Sequence, residues 1–292
     1  MNYLNFEGMK FSQIVLGTDG YSERIEKTTA FKIMECYTEN GGNVIDTARM
    51  YCDGMSEKCV GEFIKGIRNS LYISTKCSHP PLSDMSKNRL SETEIESDID
   101  ASLKTIGIDY IDIIWLHRDD ESVPIEPIID SMNKMVKKGK IRYFGASNWT
   151  YDRISEANAY AKSTNQQGFS ASQPLYNMAV RSKVWDDTLV CIEGEEKKKY
   201  DSSHFPVFAF SSQAKGFFEK YATNSLSPKA IDRYLNDNTL EIYKKICERA
   251  KKENSTISAT ALKMLIEQSK FDVFPIIGPS NVNQLKSTLN IK

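Results

Sequence analysis

Short apolar runs alternate along this chain with longer segments in which apolar residues recur at helical spacing. Eight of the short runs are rich in β-branched residues and predict β-strands. Their ranges are 14–18, 43–48, 71–77, 112–118, 143–148, 169–175, 207–212 and 273–278. Runs such as Asp-Ile-Ile-Trp-Leu-His are apolar on both faces, which is typical of strands in a parallel sheet covered by helices.

Several segments between the strands carry signals for the ends of helices. Ser91 and Glu94 form a capping box, whose two ends satisfy each other's free backbone donors, and apolar residues follow it at helical spacing. Pro124 and Pro127 suit the first turn of the next helix, and Gly139 is expected to end that helix in a left-handed conformation.

Three further segments have different patterns. An amphipathic helix is predicted over 256–268, where the apolar residues form one stripe. The charged stretch 193–199 is interpreted as a solvated helix or loop. The segment 221–238 lacks clear periodicity and is interpreted as a long loop, a feature that is often functional in compact domains.

The repeated strand–helix units predict the fold class. Such units form either an open doubly wound sheet or a closed barrel, and eight units favour the barrel. No Gly-x-Gly-x-x-Gly follows the first strand and no Walker loop is present, which argues against an open dinucleotide-binding sheet. We therefore predict an α/β protein in which residues 1–292 form a single (β/α)8 TIM barrel.

Composition and charge exclude several classes of partner. Lys and Arg number 38 against 39 Asp and Glu, so no basic excess is available for a nucleic acid. No apolar stretch of about 18 residues predicts a membrane span. The amino terminus lacks a secretory signal and the six cysteines form no Cys-x-x-Cys pair, so we expect reduced thiols in a cytoplasmic protein. The sequence leaves the oligomeric state open.

Polar residues follow the apolar runs at the points where several predicted strands end. Asp46, Lys76 and His117 end the second, third and fourth strands, and Tyr51 lies five residues after Asp46. Each has a purely structural alternative, such as a turn cap, a surface lysine or a core histidine. Because barrel chemistry lies at the carboxyl ends of the strands, we expect these side chains to converge on one site.

The chemistry of such a cluster is proton transfer. A free tyrosine has a pKa of about 10, and a neighbouring ammonium group lowers that value. A carboxylate beyond the lysine keeps the ammonium charged and oriented, while a histidine orients a substrate oxygen. The set would donate a proton to a carbonyl group. Because side chains supply no hydride, a cofactor is implied.

At these residues the sequence resembles the aldo-keto reductases. The matching segments occur in family order over nearly the whole chain: VIDTARMY (44–51), ISTKC (73–77), DYIDIIWLHR (109–118), GKIRYFGASNW (139–149), SQPLYN (172–177), VFAFSSQAKGFF (207–218) and IIGPSNVNQL (276–285). The resemblance implies a barrel enzyme that binds nicotinamide without a Rossmann unit. It implies a catalytic tetrad of Asp46, Tyr51, Lys76 and His117, with Tyr51 as the general acid in reduction.

The resemblance also implies a set of cofactor-binding residues. Ser147, Asn148 and Gln173 match positions that hold the nicotinamide carboxamide, and Phe210 matches an aromatic that stacks on its ring. The remaining expected contacts lie in the loop after the first strand, beside Phe210 and near the adenosine end: Gly17, Thr18, Asp19, Ser211, Gly278, Ser280 and Gln284.

Three departures from the family pattern bear on the cofactor and the pocket. The family implies NADP, but Pro279 and Asn281 flank Ser280 where an Arg or Lys commonly grips the 2′-phosphate, so NAD is the alternative and Lys286 a candidate substitute. Ser287 and Thr288 stand where an acid–amide pair often contacts adenine. Many relatives carry a further segment after the position of Lys292, and its absence predicts an open pocket or one that a neighbouring subunit closes.

The substrate would be a small carbonyl compound, bound by residues from loops. Tyr21, Met50, Trp115 and Trp149 are expected wall residues of an apolar pocket, and packing within the barrel is an equal alternative for each.

We consider three functions from different classes. The first is an NAD(P)H-dependent reductase of aldehydes or ketones. The second is a cofactor-binding regulatory or redox-sensing subunit with little turnover, as in the related potassium-channel β subunits, which keep the same tetrad. The third is a metal-dependent barrel hydrolase, for which His79, His117 and His204 are too few histidines, so we expect no metal.

Overall fold

Eight parallel strands form a closed barrel in the computed structural model, which describes residues 1–290. In chain order the barrel strands are β3 (Val15–Gly17), β4 (Val44–Asp46), β5 (Tyr72–Cys77), β6 (Ile111–Leu116), β7 (Ile141–Ser147), β8 (Ser172–Gln173), β9 (Val207–Ala209) and β10 (Val273–Ile277). Closure comes from pairing of β10 with β3, where Ile276 lies opposite Val15. The predicted (β/α)8 barrel is confirmed, and each predicted strand overlaps an observed one, although β6 and β7 begin before their predicted ranges.

Helices connect the strands and surround the barrel. They are α1 (Lys27–Glu39), α2 (Met55–Phe63), α3 (Glu92–Ile106), α4 (Ile125–Lys137), α5 (Tyr151–Ser163), α6 (Gly194–Ser203), α7 (Phe217–Ala222), α8 (Pro228–Tyr234), α9 (Asp237–Glu253), α10 (Ile257–Glu267) and α11 (Val282–Leu289). Short 3-10 turns occupy Tyr51–Gly54, Arg68–Ser70 and Ala214–Gly216.

The predicted helix ends are confirmed in three helices. The side chain of Ser91 accepts a hydrogen bond from the backbone N–H of Glu94 at the start of α3. Gly139 follows α4 with a φ of 72°, the left-handed conformation that the sequence predicts. Thr256 caps α10 in the same way as Ser91 caps α3.

The predicted long loop over 221–238 is wrong. The end of α7, all of α8 and the start of α9 lie in this segment. Ser227 caps α8 and Pro228 occupies its first turn. These helices are too short for a repeating apolar stripe to emerge, since α7 has 6 residues and α8 has 7.

An amino-terminal hairpin, absent from the sequence prediction, lies against the barrel. Its strands are β1 (Tyr3–Phe6) and β2 (Met9–Ser12), which pair antiparallel. Glu7 and Gly8 connect them, both with positive φ, which suits the tight turn of a two-residue hairpin. Phe6 and Phe11 pack on aromatic rings from the barrel strands and so fill one end of its interior.

Side-chain alternation along β5 separates the interior of the barrel from the helix layer. Ser74 and Lys76 reach Asp46 across the inside of the barrel. Thr75 instead reaches Glu57 on α2, in the layer between strands and helices. Because successive side chains of a strand point to opposite faces, neighbouring polar residues at the carboxyl end of a strand lie on opposite sides of the sheet.

Candidate active site

A buried ion pair lies at the carboxyl ends of β4 and β5. The Lys76 Nζ atom lies 2.6 Å from Asp46 Oδ2 and donates a further hydrogen bond of 2.8 Å to the backbone oxygen of Thr47. Both charged side chains are almost fully buried. Because an ammonium has three donors, Lys76 retains one N–H beyond these two partners.

The second oxygen of Asp46 is also fully engaged. Asp46 Oδ1 accepts hydrogen bonds from Ser74 Oγ at 2.7 Å and from Gln173 Nε2 at 3.0 Å. These contacts join three strands of the barrel through one carboxylate. The charge and orientation of Lys76 are therefore set by a group that is itself rigidly held.

Tyr51 lies beside this ion pair, at the start of the 3-10 turn that precedes α2. Lys76 Nζ lies 4.7 Å from the centroid of the Tyr51 ring, and the His117 ring centroid lies 6.3 Å from it. The next two residues, Cys52 and Asp53, have φ values of 51° and 48°. This left-handed backbone is uncommon for side-chain-bearing residues and is typical of segments that surrounding structure holds in place.

The pKa of Tyr51 is raised, contrary to the downward shift expected from the sequence. Burial raises the pKa of the Tyr51 phenol, and this outweighs the ammonium of Lys76, which lowers it. Burial lowers the pKa of Lys76, but the nearby carboxylate of Asp46 reverses the shift and the net pKa is raised. The pair therefore holds a protonated phenol beside a charged ammonium group at neutral pH.

His117 follows β6 and faces the same site. Its pKa lies well below the ordinary value because of burial, with the positive charge of Lys76 acting in the same direction. The ring is therefore neutral at physiological pH and can donate or accept one hydrogen bond. A second imidazole, His79, lies 4.7 Å away between ring centroids and nearly perpendicular.

The amide side chains of Asn148 and Gln173 present unpaired oxygens at the site. Asn148 Oδ1 and Gln173 Oε1 are buried and have no hydrogen-bond partner among the described residues. Their amide nitrogens already donate hydrogen bonds: Asn148 Nδ2 donates to Ser147 Oγ, and Gln173 Nε2 donates to Asp46. Two orphaned acceptors on residues of adjacent strand ends suit the NH₂ group of a carboxamide, so these residues fit a nicotinamide.

The loop after β3 and the residues after β9 flank this position. A side chain at Gly17 would lie 2.8 Å from Ile276, so only glycine fits there. Thr18 binds the backbone oxygen of Asp46, whereas Asp19 pairs with Arg24 at the surface. The expected ring-stacking and neighbouring residues, Phe210 and Ser211, are partly buried after β9.

The expected adenosine-end residues lie at the start of α11. Gly278 is exposed, and a side chain there would meet no atom within 4 Å. The backbone N–H of Ser280 donates to Gln284 Oε1 at 2.7 Å, and Asn281 caps the helix. Thr288 is buried and accepts a hydrogen bond from Gln213, so it does not offer its hydroxyl oxygen freely.

Three of the four expected wall residues pack in apolar clusters. Tyr21 lies in the helix layer, Trp115 in the barrel interior and Trp149 between the barrel and its helices, and all three are almost fully buried. Their burial agrees with the alternative that these side chains pack within the barrel rather than line a substrate pocket. Met50 lines a cavity beside Lys76 and His79.

Sequence reasoning did not single out two further residues at the site. His79 was noted only as one of three histidines, although it lies three residues beyond Lys76. Lys215 lies a few residues beyond Phe210, in a 3-10 turn where its φ is positive. Burial and the positive charges of Arg233 and Arg24 lower its pKa, so Lys215 adds to a basic region near the loop after β3. The sequence signal for His79 was its position just after the end of β5, whereas Lys215 follows no strand end directly.

The described residues contain neither a metal-binding cluster nor a helix that could cross a membrane. Within residues 1–290, no group of three His, Cys, Asp or Glu side chains is placed to hold a metal ion. No helix in that range has the length and apolar character needed to cross a membrane.

The chain matches a known family of proteins. A family model described as the aldo/keto reductase family matches residues 13–292. The chain therefore belongs to the aldo/keto reductase family, and the resemblance expected from the sequence is confirmed.

Individual relatives differ in what their names say they do. A probable voltage-gated potassium channel subunit beta from Arabidopsis thaliana is 31% identical over 246 residues, covering 81% of this chain and 72% of the relative. An aryl-alcohol dehydrogenase [NADP(+)] from Phanerodontia chrysosporium is 26% identical over 97% of this chain and 78% of its own. A norsolorinic acid reductase from Aspergillus flavus is 25% identical over 97% and 74%.

Proposed function

We propose that this protein is a nicotinamide-dependent reductase that converts an aldehyde or ketone to an alcohol. The observation that carries the proposal is the convergence of Tyr51 and His117 on the buried Lys76–Asp46 pair. The names of the dehydrogenase and reductase relatives support the same reaction class. NADP is the proposed cofactor and NAD the alternative.

Tyr51 is the proposed general acid. Its raised pKa keeps the phenol protonated at neutral pH, and the remaining N–H of Lys76 favours negative charge on the phenol oxygen as the proton leaves. Asp46 holds Lys76 charged and in place. Neutral His117 donates a hydrogen bond to the carbonyl oxygen and fixes its direction toward Tyr51.

The cofactor supplies the hydride when bound. Asn148 and Gln173 would hold its carboxamide through their two unpaired oxygens, and Phe210 would cover the ring. The positive charge of Lys215 would attract the phosphates of a dinucleotide, whereas Arg24 is paired with Asp19. Ser280 and Gln284 would lie at its adenosine end.

Cofactor titration and turnover test this proposal directly. Purified protein should bind NADPH or NADH by fluorescence and consume it when mixed with a panel of aldehydes and ketones. The Tyr51→Phe variant should lose about 100-fold or more of the reductase turnover while its cofactor affinity stays within about two-fold, because only the proton donor is removed. Binding of cofactor with no consumption for any substrate would contradict the reductase function.

A regulatory subunit is the second candidate function. The similarity to a probable potassium channel subunit beta, at 31% identity, favours it. In that function the site would bind cofactor and report its redox state to a partner, with little turnover. The tetrad residues would then serve cofactor-dependent signalling rather than metabolism.

Turnover and complex formation distinguish the two candidates. A regulatory subunit should form a stoichiometric complex with a channel protein, and the stability of that complex should change with the oxidation state of the bound cofactor. A reductase should instead turn over many times per minute without a partner. Rapid turnover together with no complex would exclude the regulatory function.

A further inference from the structure

A cavity of about 260 Å³ opens beside the proposed catalytic residues. Met50 and Lys76 form the side nearest to Tyr51, and His79 links the cavity to His117. The other lining residues are Arg49, Cys77, Pro81, Arg89 and Asp98. A substrate whose carbonyl group reaches Tyr51 and His117 would extend into this space.

The charged residues that line the cavity are mostly positive. Lys76 is neutralised by Asp46, and Arg89 pairs with Asp98 at 2.6 Å and with Glu94 at 3.5 Å. The second oxygen of Asp98 accepts from the backbone N–H of Ser78. The acidic groups around the cavity are therefore already engaged with other partners.

Arg49 is the exception among these cations. Its only ion-pair partner within the described chain is Asp98, with Nε 3.8 Å from an oxygen that Arg89 already binds at 2.6 Å. Glu57 lies farther away, although the charge of Arg49 acts on its pKa. Its guanidinium makes no hydrogen bond to residues 1–290, and 41% of the side chain is exposed. Arg49 can therefore direct a free pair of N–H groups to a ligand.

A further arginine adds positive potential near the same space. Arg118 follows His117, and its buried Nε has no partner among the described residues. Burial is the main cause of the lowered pKa of His79 and of His117, and the charge of Arg118 makes a smaller contribution in the same direction. The carboxylate of Asp186 acts in the opposite direction and raises the pKa of both Arg118 and His79.

We propose that this cavity binds an acidic group of the substrate, a carboxylate or a phosphate, and that Arg49 pairs with that group. The inference rests on the proposed carbonyl reduction and narrows its substrate class to anionic aldehydes or ketones. Arg49 is then a specificity-determining residue, because it immediately precedes Met50 and Tyr51 and contacts a part of the substrate remote from the reacting carbonyl. Arg89 and Asp98 line the same cavity as an ion pair.

Matched substrate pairs test this proposal. Succinic semialdehyde with butanal tests a carboxylate, and glyceraldehyde phosphate with glyceraldehyde tests a phosphate. In the Arg49→Gln variant the KM of the acidic member should rise about ten-fold while kcat changes little, because a charge-assisted contact outside the reacting centre is lost. The KM of the neutral members should stay unchanged. The pair that shows the effect identifies which acid is bound.

The Lys32→Gln variant is the matched control. Lys32 is exposed on α1, and its substitution removes one positive charge outside the cavity lining. It should leave every KM unchanged. Equal KM changes for acidic and neutral substrates in Arg49→Gln, or no change at all, would overturn the proposal while leaving the reductase function intact.

Equilibrium binding separates this inference from the reductase proposal. Calorimetric titration with succinate and with inorganic phosphate should detect weaker binding of one of them to Arg49→Gln than to the unaltered protein. If none of the four carbonyl compounds is reduced, the reductase function fails for these classes, and this titration still decides whether the cavity binds an acid. Identical binding by both proteins would refute the role of Arg49.

Discussion

At the scale of single residues, one carboxylate organises the site. Asp46 binds Lys76, Ser74 and Gln173, so the ammonium, a strand and a proposed cofactor-binding amide share one partner. Residue types and strand-end positions were enough to predict the four members. The sign of the Tyr51 pKa shift was not, because it depends on burial that distant segments create.

The raised pKa of Tyr51 predicts the pH dependence of reduction. In the proposed reduction the protonated phenol is the reactive form, so kcat/KM should be flat through neutrality and fall only as alkaline pH removes the proton. His117 adds no change near its ordinary pKa of 6.5, because it stays neutral there. Oxidation of the alcohol needs the phenolate and should rise with pH. Steady-state pH profiles in both directions check this.

A fall in the reduction rate between slightly acidic and neutral pH would contradict the assignment of Tyr51 as the acid. The Tyr51→Phe variant provides the control, since its residual rate should lack the alkaline decline.

At the scale of elements, close approach between helices fixes the layer behind the site. Gly61 on α2 lies so near the end of α3 that a side chain there would clash with the backbone oxygen of Ile106. Glu57, on the same helix, binds Thr75, the neighbour of Lys76 in β5. The position of α2 therefore bears on the strand that carries the ammonium group.

The Gly61→Ala variant should be less stable than the unaltered protein. Alanine favours helices by about 1 kcal/mol over glycine, but the backbone oxygen cannot yield without moving α3, and such overpacking costs about 1–3 kcal/mol or more. Urea denaturation should show a net loss of unfolding free energy. Lys58→Ala on the exposed side of α2 is the control and should change little. A gain in stability for Gly61→Ala would disprove the close packing.

At the scale of the whole molecule, the proposed site and a set of stabilising contacts lie at opposite ends of the barrel. The proposed site lies at the carboxyl ends of the strands. Near the opposite end, Asp112 in β6 binds Arg68 at 2.7 Å and Arg142 at 3.2 Å, and the hairpin of β1 and β2 packs its aromatic rings into the interior. This division is typical of TIM barrels, in which loops at one face vary without disturbing the core.

The Phe11→Ala variant should destabilise the whole barrel. Phe11 is fully buried against Tyr72, Phe208 and Phe274, so its removal leaves a cavity in the interior and should cost about 3–5 kcal/mol. Calorimetry should show one transition at a lower temperature, with cofactor affinity retained below it. The exposed hairpin residue Asn5 gives the control variant Asn5→Ala. Unfolding of the hairpin in a separate transition, with the temperature of the main transition unchanged, would contradict this coupling.

The sequence by itself determined the order of the eight barrel strands, the cap at Ser91, the helix over 256–268, and the residue types at the strand ends. These features follow from local periodicity and local hydrogen bonding, which neighbouring residues carry. Only the tertiary structure decided that Tyr21, Trp115 and Trp149 pack in clusters, that the hairpin fills one end of the barrel, and that Arg49 faces a cavity. Those outcomes depend on distances between segments far apart in the chain, and on the burial that their contact produces.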